Sequence, residues 1–303
     1  MNQHWARLPE RGTLLALRLI LWITLQIGRP AGRALLYPIT LYFLLTATAA
    51  RRGSRLYLRR VLGRESHWRD VFRHIHCFAA TILDRAYFLT GRLRPFHIEM
   101  FGDRVILEQV ASGQGCLLLG AHLGSFEVLR ALGVSLRHFP IRILMNSAHN
   151  QAMTQFLNTL NPELAKTILP IGGPDTLLRV QESIAAGYLV GALGDRVVAG
   201  DKTVHVPFLG RETAFPVGLW VLAALTQCPV ILFFGLYRGN RRYQVYFEPL
   251  AERIVLDRSQ RQAQLTAWVQ RYAGRLEHYT RVAPYNWFNF YDYWNEESES
   301  LGR

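Results

Sequence analysis

The chain has 303 residues, half of them hydrophobic and only 19% charged, and its formal net charge is +13. That length provides one sizeable core and allows one or two domains, and a charge content below the usual quarter or so suits a partly membrane-bound protein. Three scattered cysteines (Cys77, Cys116 and Cys228) with no CxxC pair exclude a zinc cluster or a disulfide framework, and point to buried free thiols in a reducing cytosol.

Lys occurs only at 166 and 202, so arginine carries nearly all of the positive charge. Arginine is always charged and grips phosphate and carboxylate with two parallel hydrogen bonds. A basic surface of this kind attracts anionic lipid, an acidic protein or nucleic acid.

Two apolar stretches open the chain. The first, 13–27, contains Arg18; the second, 34–50, contains Pro38 and no charge. Gly28-Arg29-Pro30-Ala31-Gly32-Arg33 separates them. Neither alone reaches the ~20 apolar residues that comfortably span a bilayer. Hydrophobicity resumes after the break and a basic cluster follows (Arg51, Arg52, Arg55, Arg59, Arg60 and Arg64), which does not fit a cleaved signal peptide. The positive-inside tendency puts that cluster in the cytoplasm, against anionic head groups. Residues 1–64 therefore read as a helical membrane anchor, one span or a shallow hairpin, holding a cytoplasmic-facing domain of residues 65–303 against the membrane. The alternative is a pair of buried core helices.

From Glu65 to Thr90, the side chains Trp68, Val71, Phe72, Ile75, Phe78 and Ile82 recur at helical steps. Beyond them, short apolar runs alternate with helical stretches. The segments 116–119, 141–145, 188–193 and 230–236 read as buried strands, and 125–136, 150–160, 176–186 and 217–227 as helices. This alternation predicts an α/β fold, a mixed and mostly parallel sheet flanked by helices. Leu265, Trp268, Val269, Tyr272 and Leu276 form the stripe of a last helix that stops before Pro284.

The segment that carries chemistry is Gly120-Ala121-His122-Leu123-Gly124-Ser125-Phe126-Glu127, between a strand and a helix. Open α/β sheets bind ligands at such junctions. In a continuous helix His122 and Glu127 would lie on different faces, but they can approach if His122 precedes the helix and Gly124 turns the chain sharply. A carboxylate on one imidazole nitrogen makes the other a general base. Ser125 lacks the Gly-x-Ser-x-Gly elbow of a serine hydrolase. His205, His149 and Asn150 are weaker candidates outside the catalytic set.

HxxxxE after an apolar strand resembles the His-x4-Asp/Glu motif of the lysophospholipid acyltransferase superfamily, most closely the late, lauroyl- or myristoyl-type acyltransferases of lipid A biosynthesis. Gly194-Asp195-Arg196, Val206-Pro207-Phe208-Leu209-Gly210-Arg211 and Phe215-Pro216-Val217-Gly218 are similar to that branch's later blocks, and Pro284-Tyr285-Asn286-Trp287-Phe288-Asn289-Phe290 to its C-terminal Pro-x-x-Trp block. The resemblance implies an acyl-carrier-protein thioester as donor, a lipid or glycolipid acceptor, and neither metal nor cofactor. His122 would deprotonate the acceptor hydroxyl and Glu127 would orient His122. Asp195 and Arg196 would position the substrate or hold the site together, and the Gly124 N–H would stabilise the oxyanion. The rival acceptors are another glycolipid or a lipid-like pigment; the rival class is a basic membrane-bound adaptor with no enzymatic activity. No nucleic-acid-binding module is recognisable.

Overall fold

The computed structural model describes residues 14–132, 139–145, 166–171, 173, 175–198 and 200–294. The helix expected over 150–160 and the end of the one expected over 125–136 lie outside the described residues.

The amino-terminal apolar stretches form α1 (Leu14–Gln26) and α2 (Arg29–Thr46), followed by α3 (Thr48–Leu62) and α4 (Trp68–Leu89). Gly28 at φ +121° breaks the first helix from the second, and Pro30 sits in the first turn of α2, where a missing N–H costs nothing. No single described helix is long and apolar enough to cross a membrane. Together α2 and α3 meet the length and composition of a span, but they are bent by 95°. α3 buries Gly53, Ser54, Tyr57, Leu58 and Val61, while Arg52, Arg55 and Arg59 are exposed. α4 opens on a capping box between His67 and Asp70.

α1, α2 and α3 all pack on α4. Arg29 of α2 reaches Asp84 of α4 through two bonds of 2.7 and 2.8 Å, and Asp84 is fully buried. Tyr243 donates to the same carboxylate at 3.0 Å, and Tyr87 of α4 donates to the Thr24 carbonyl of α1 at 2.6 Å. The amino-terminal helices are thus tied to the body by a buried ion pair as well as by apolar contact.

Past β1 (His97–Phe101) and α5 (Asp103–Ala111), the chain lays down β2 (Cys116–Gly120), α6 (Glu127–Leu132), β3 (Ile141–Met145), β4 (Ile168–Pro170), α7 (Thr176–Ala185) and β5 (Leu189–Leu193). A hairpin of β6 (Thr203–Phe208) and β7 (Arg211–Pro216) follows, then α8 (Gly218–Thr226), β8 (Val230–Tyr237), β9 (Arg242–Ala251) and α9 (Arg261–Val282). The main sheet has seven strands in the order β1-β9-β8-β2-β5-β3-β4. Only the β8–β9 pair is antiparallel, so the expected mixed, mostly parallel sheet with flanking helices is present. Every residue of β2 and β8 is buried, which is why both read as unbroken apolar runs. The β6–β7 hairpin turns through Leu209 (φ +50°) and Gly210 (φ +78°), the paired left-handed conformation that matches strand twist. The strain at Leu209 is supported from α9, where Glu277 accepts its N–H at 2.6 Å. All three cysteines are buried and free.

Removing one partner of a buried ion pair strands the other charge, at a typical cost of about 3–5 kcal/mol. Asp84→Ala should therefore lower the denaturation midpoint sharply, whereas Arg29→Met with Asp84→Leu should recover most of the loss. Thermal denaturation of the detergent-solubilised variants checks this.

Candidate active site

β2 and β5 are parallel neighbours in strict register, from Cys116 opposite Leu189 to Gly120 opposite Leu193. His122 and Asp195 each stand two residues beyond a strand end, so this register brings them face to face. His122 Nδ1 lies 2.8 Å from Asp195 Oδ1, and the His122 backbone N–H lies 3.1 Å from both carboxylate oxygens. Asp195 Oδ2 also accepts from Trp287 Nε1 at 2.9 Å and Asn289 Nδ2 at 3.1 Å. The Tyr293 hydroxyl donates to the Asp195 carbonyl at 2.5 Å. An ionised carboxylate only accepts, so His122 Nδ1 carries the proton and Nε2 holds the lone pair. Nε2 has no hydrogen-bond partner among the described residues, and the imidazole keeps 28% of its surface exposed.

Burial lowers the His122 pKa and Arg196 lowers it further; Asp195 pulls it back, but the net value stays below the ordinary 6.5. The imidazole is therefore neutral at pH 7 and ready to accept a proton. Burial alone would raise Asp195, but the charge and hydrogen bond of His122, with Arg196 and Asn289, outweigh it and hold the carboxyl well below the usual range.

The carboxyl-terminal block closes over this junction. Phe288 donates its N–H to the His122 carbonyl at 2.8 Å, and Leu123 forms a β-bridge with Trp287. Asn286 accepts the Gly124 N–H through its backbone carbonyl at 2.8 Å, and its side chain bonds both polar backbone groups of Tyr237. Arg196 Nε donates to Asn289 Oδ1 at 2.7 Å and its NH2 to the Phe288 carbonyl at 2.9 Å. From the other side, Tyr272 of α9 donates to the Gly120 carbonyl at 2.8 Å.

Four of the expected site residues are held by partners within the protein. The carboxylate bonded to His122 is Asp195, whereas Glu127 opens α6 and pairs with Arg85 of α4 at 2.6 Å. Asp195 has no exposed surface with which to touch a substrate. Arg196 clamps the carboxyl-terminal block, in keeping with the site-holding one of its two expected roles. The Gly124 N–H is taken by Asn286 and is not available to an oxyanion. The need for glycine at 124 is steric: φ is +71°, and a Cβ would stand 2.0 Å from the Gly235 carbonyl. His205 is exposed on β6, and His149 and Asn150 lie outside the described residues.

Sequence reasoning missed Trp287, Asn289 and Arg85 as site residues. The first two were in view as a similar block with no role attached. Arg85 could have been noticed as a charge inside a helix that buries most of its residues.

The geometry predicts a titration that needs no substrate. The His122 ring, followed by nitrogen-15 NMR, should titrate below 6.5. Asp195→Asn removes the one influence that raises it, so the midpoint should fall further. Glu127→Gln should leave it nearly unmoved.

No curated protein matches the chain. A family model described as bacterial lipid A biosynthesis acyltransferase matches residues 10–296, taking in the amino-terminal helices, the His122–Asp195 pair and the carboxyl-terminal block. The chain belongs to the bacterial lipid A biosynthesis acyltransferase family, and it is an acyltransferase acting on a lipid A-like acceptor.

Proposed function

We propose that this enzyme transfers a fatty acyl group from an acyl-carrier-protein thioester to a hydroxyl of a lipid A-like glycolipid, as the late acyltransferases do, with His122 as general base. The observation that carries the reading is the neutral His122, fixed by Asp195 through Nδ1, with Nε2 unpartnered among the described residues and partly exposed. Nε2 takes the acceptor's hydroxyl proton as the oxygen attacks the thioester carbonyl. The tetrahedral intermediate collapses, the carbon–sulfur bond breaks, and the departing thiolate recovers the proton from the imidazolium. An ester has formed, a thiol is released, and His122 is neutral again.

Asp195 is the positioning residue: it fixes the tautomer and stabilises the transient imidazolium. Glu127 pairs with Arg85 at the start of α6.

The enzyme is further proposed to work on the cytoplasmic side of the inner membrane. Leu19, Trp22, Tyr37, Leu41, Tyr42 and Leu45 are exposed on α1 and α2, next in sequence to the arginines of α3. Apolar and aromatic side chains adjoining a basic helix suit a lipid interface with anionic head groups.

Three experiments test these proposals. His122→Ala should abolish transfer in a folded protein, and Asp195→Asn should lower kcat by about 10²-fold or more, the scale of general-base assistance. Carrier-protein thioester should outperform acyl-coenzyme A, with a rate that falls as salt screens the basic surface beyond ~8 Å. Near-normal turnover by His122→Ala would sink the mechanism, and equal use of both donors without salt dependence would sink the donor assignment. Separately, the protein should remain in the membrane fraction after an alkaline wash. Release would mean that charge alone holds it.

A further inference from the structure

His74 is a buried titratable residue that the chemistry above does not use. It lies on α4 with no exposed surface, packed among Tyr57, Phe288 and Phe290 at ring-centroid separations of 5.3, 6.2 and 4.5 Å. Both ring nitrogens are engaged: Nδ1 is 2.8 Å from Ser54 Oγ of α3, and Nε2 is 2.8 Å from the Trp287 carbonyl. A carbonyl only accepts, so Nε2 carries the proton and Nδ1 accepts from the Ser54 hydroxyl. Burial pushes the pKa down to about 4, so the ring is neutral near neutral pH and acts as a fixed donor.

The other end of Trp287 donates its indole N–H to Asp195. The indole is fully buried against Tyr57, Phe208 and Tyr293. α3 also presses directly on the same block, since a Cβ at Gly53 would stand 2.5 Å from the Tyr291 backbone nitrogen. Ser54, His74, Trp287, Asp195 and His122 thus form one continuous line of hydrogen bonds and packed rings.

We propose that His74 is a positioning residue for acyl transfer: by holding the Trp287 carbonyl it fixes the indole N–H on Asp195, and so holds Asp195 against His122. The proposal rests on the reading of His122 as the base. A buried histidine whose only task was to fill space could be replaced by an apolar side chain. Here a donor is needed at Nε2, because the Trp287 carbonyl would otherwise be left buried and unpaired.

Full-length enzyme carrying His74→Gln, His74→Asn or Ser54→Ala tests this. The glutamine amide can reach the place of Nε2; the shorter asparagine reaches only that of Nδ1. His74→Asn should lower kcat by about tenfold or more with KM within about twofold, whereas His74→Gln should recover most of the rate. In the asparagine variant the acid limb of kcat/KM should move to lower pH. Asp195, no longer held against His122 by the indole, stabilises the His122 imidazolium less against Arg196, the facing cation. If His74→Asn does not fold, Ser54→Ala carries the test, because it frees the tautomer at little volume cost and should lower kcat several-fold. Unchanged kcat in a folded His74→Asn or Ser54→Ala, or equal losses in the glutamine and asparagine variants, would overturn the relay. His122→Ala separates the two readings: if it is inactive while His74→Asn is normal, only the relay fails; if it is active, both fail.

Discussion

The site depends on one buried carboxylate. Asp195 has no exposed surface, and taking an ion of this kind out of water costs several kcal/mol unless donors surround it. Four donors do so: the His122 backbone and ring, the Trp287 indole and the Asn289 amide. Hydrogen bonds to a charged group contribute about 1.5–3 kcal/mol each, which is the scale required. The donors come from the end of β2 and from the carboxyl-terminal block, more than 90 residues further along the chain than Asp195 for the latter pair. Satisfying this one charge therefore closes the sheet end, seats the last segment and aims the imidazole in a single step.

α4 connects that centre to the amino-terminal helices. Along one helix it presents Asp70 to Arg64 and Tyr285, His74 to Ser54 and Trp287, Asp84 to Arg29 and Tyr243, and Arg85 to Glu127. Each pairing joins a different part of the chain to the same rod. The segment proposed to meet the membrane is consequently built into the frame that orients His122, and is not an appendage trailing from it. A disturbance in α2 or α3 reaches the site through contacts that are short, buried and polar, where partial loosening is expensive.

The pairing of Glu127 with Arg85, and not with His122, has a simple physical origin. Spacing along the sequence identifies a carboxylate five residues from His122, but a side chain at the start of a helix turns toward whatever that helix packs on. α6 packs on α4, and Arg85 is there to receive the charge. Gly124 turns the chain as expected, at φ +71°, but the N–H expected to meet an oxyanion is taken by Asn286. In both cases local sequence indicated the importance of the position and not the identity of its partner.

The sequence by itself determined the class of fold, because buried parallel strands must be continuous apolar runs and the runs at β2, β3, β5 and β8 can be read directly. It also marked His122 as the proposed base, since a histidine just past a buried strand stands where α/β sheets place their chemistry. Only the tertiary structure decided that base's partner. Register between β2 and β5 sets His122 opposite Asp195, and no periodicity within either strand encodes which strands become neighbours. The roles of Trp287, Asn289 and His74 were hidden for the same reason: hydrogen bonds across 92, 94 and 213 residues depend on how the whole chain closes and leave no local pattern.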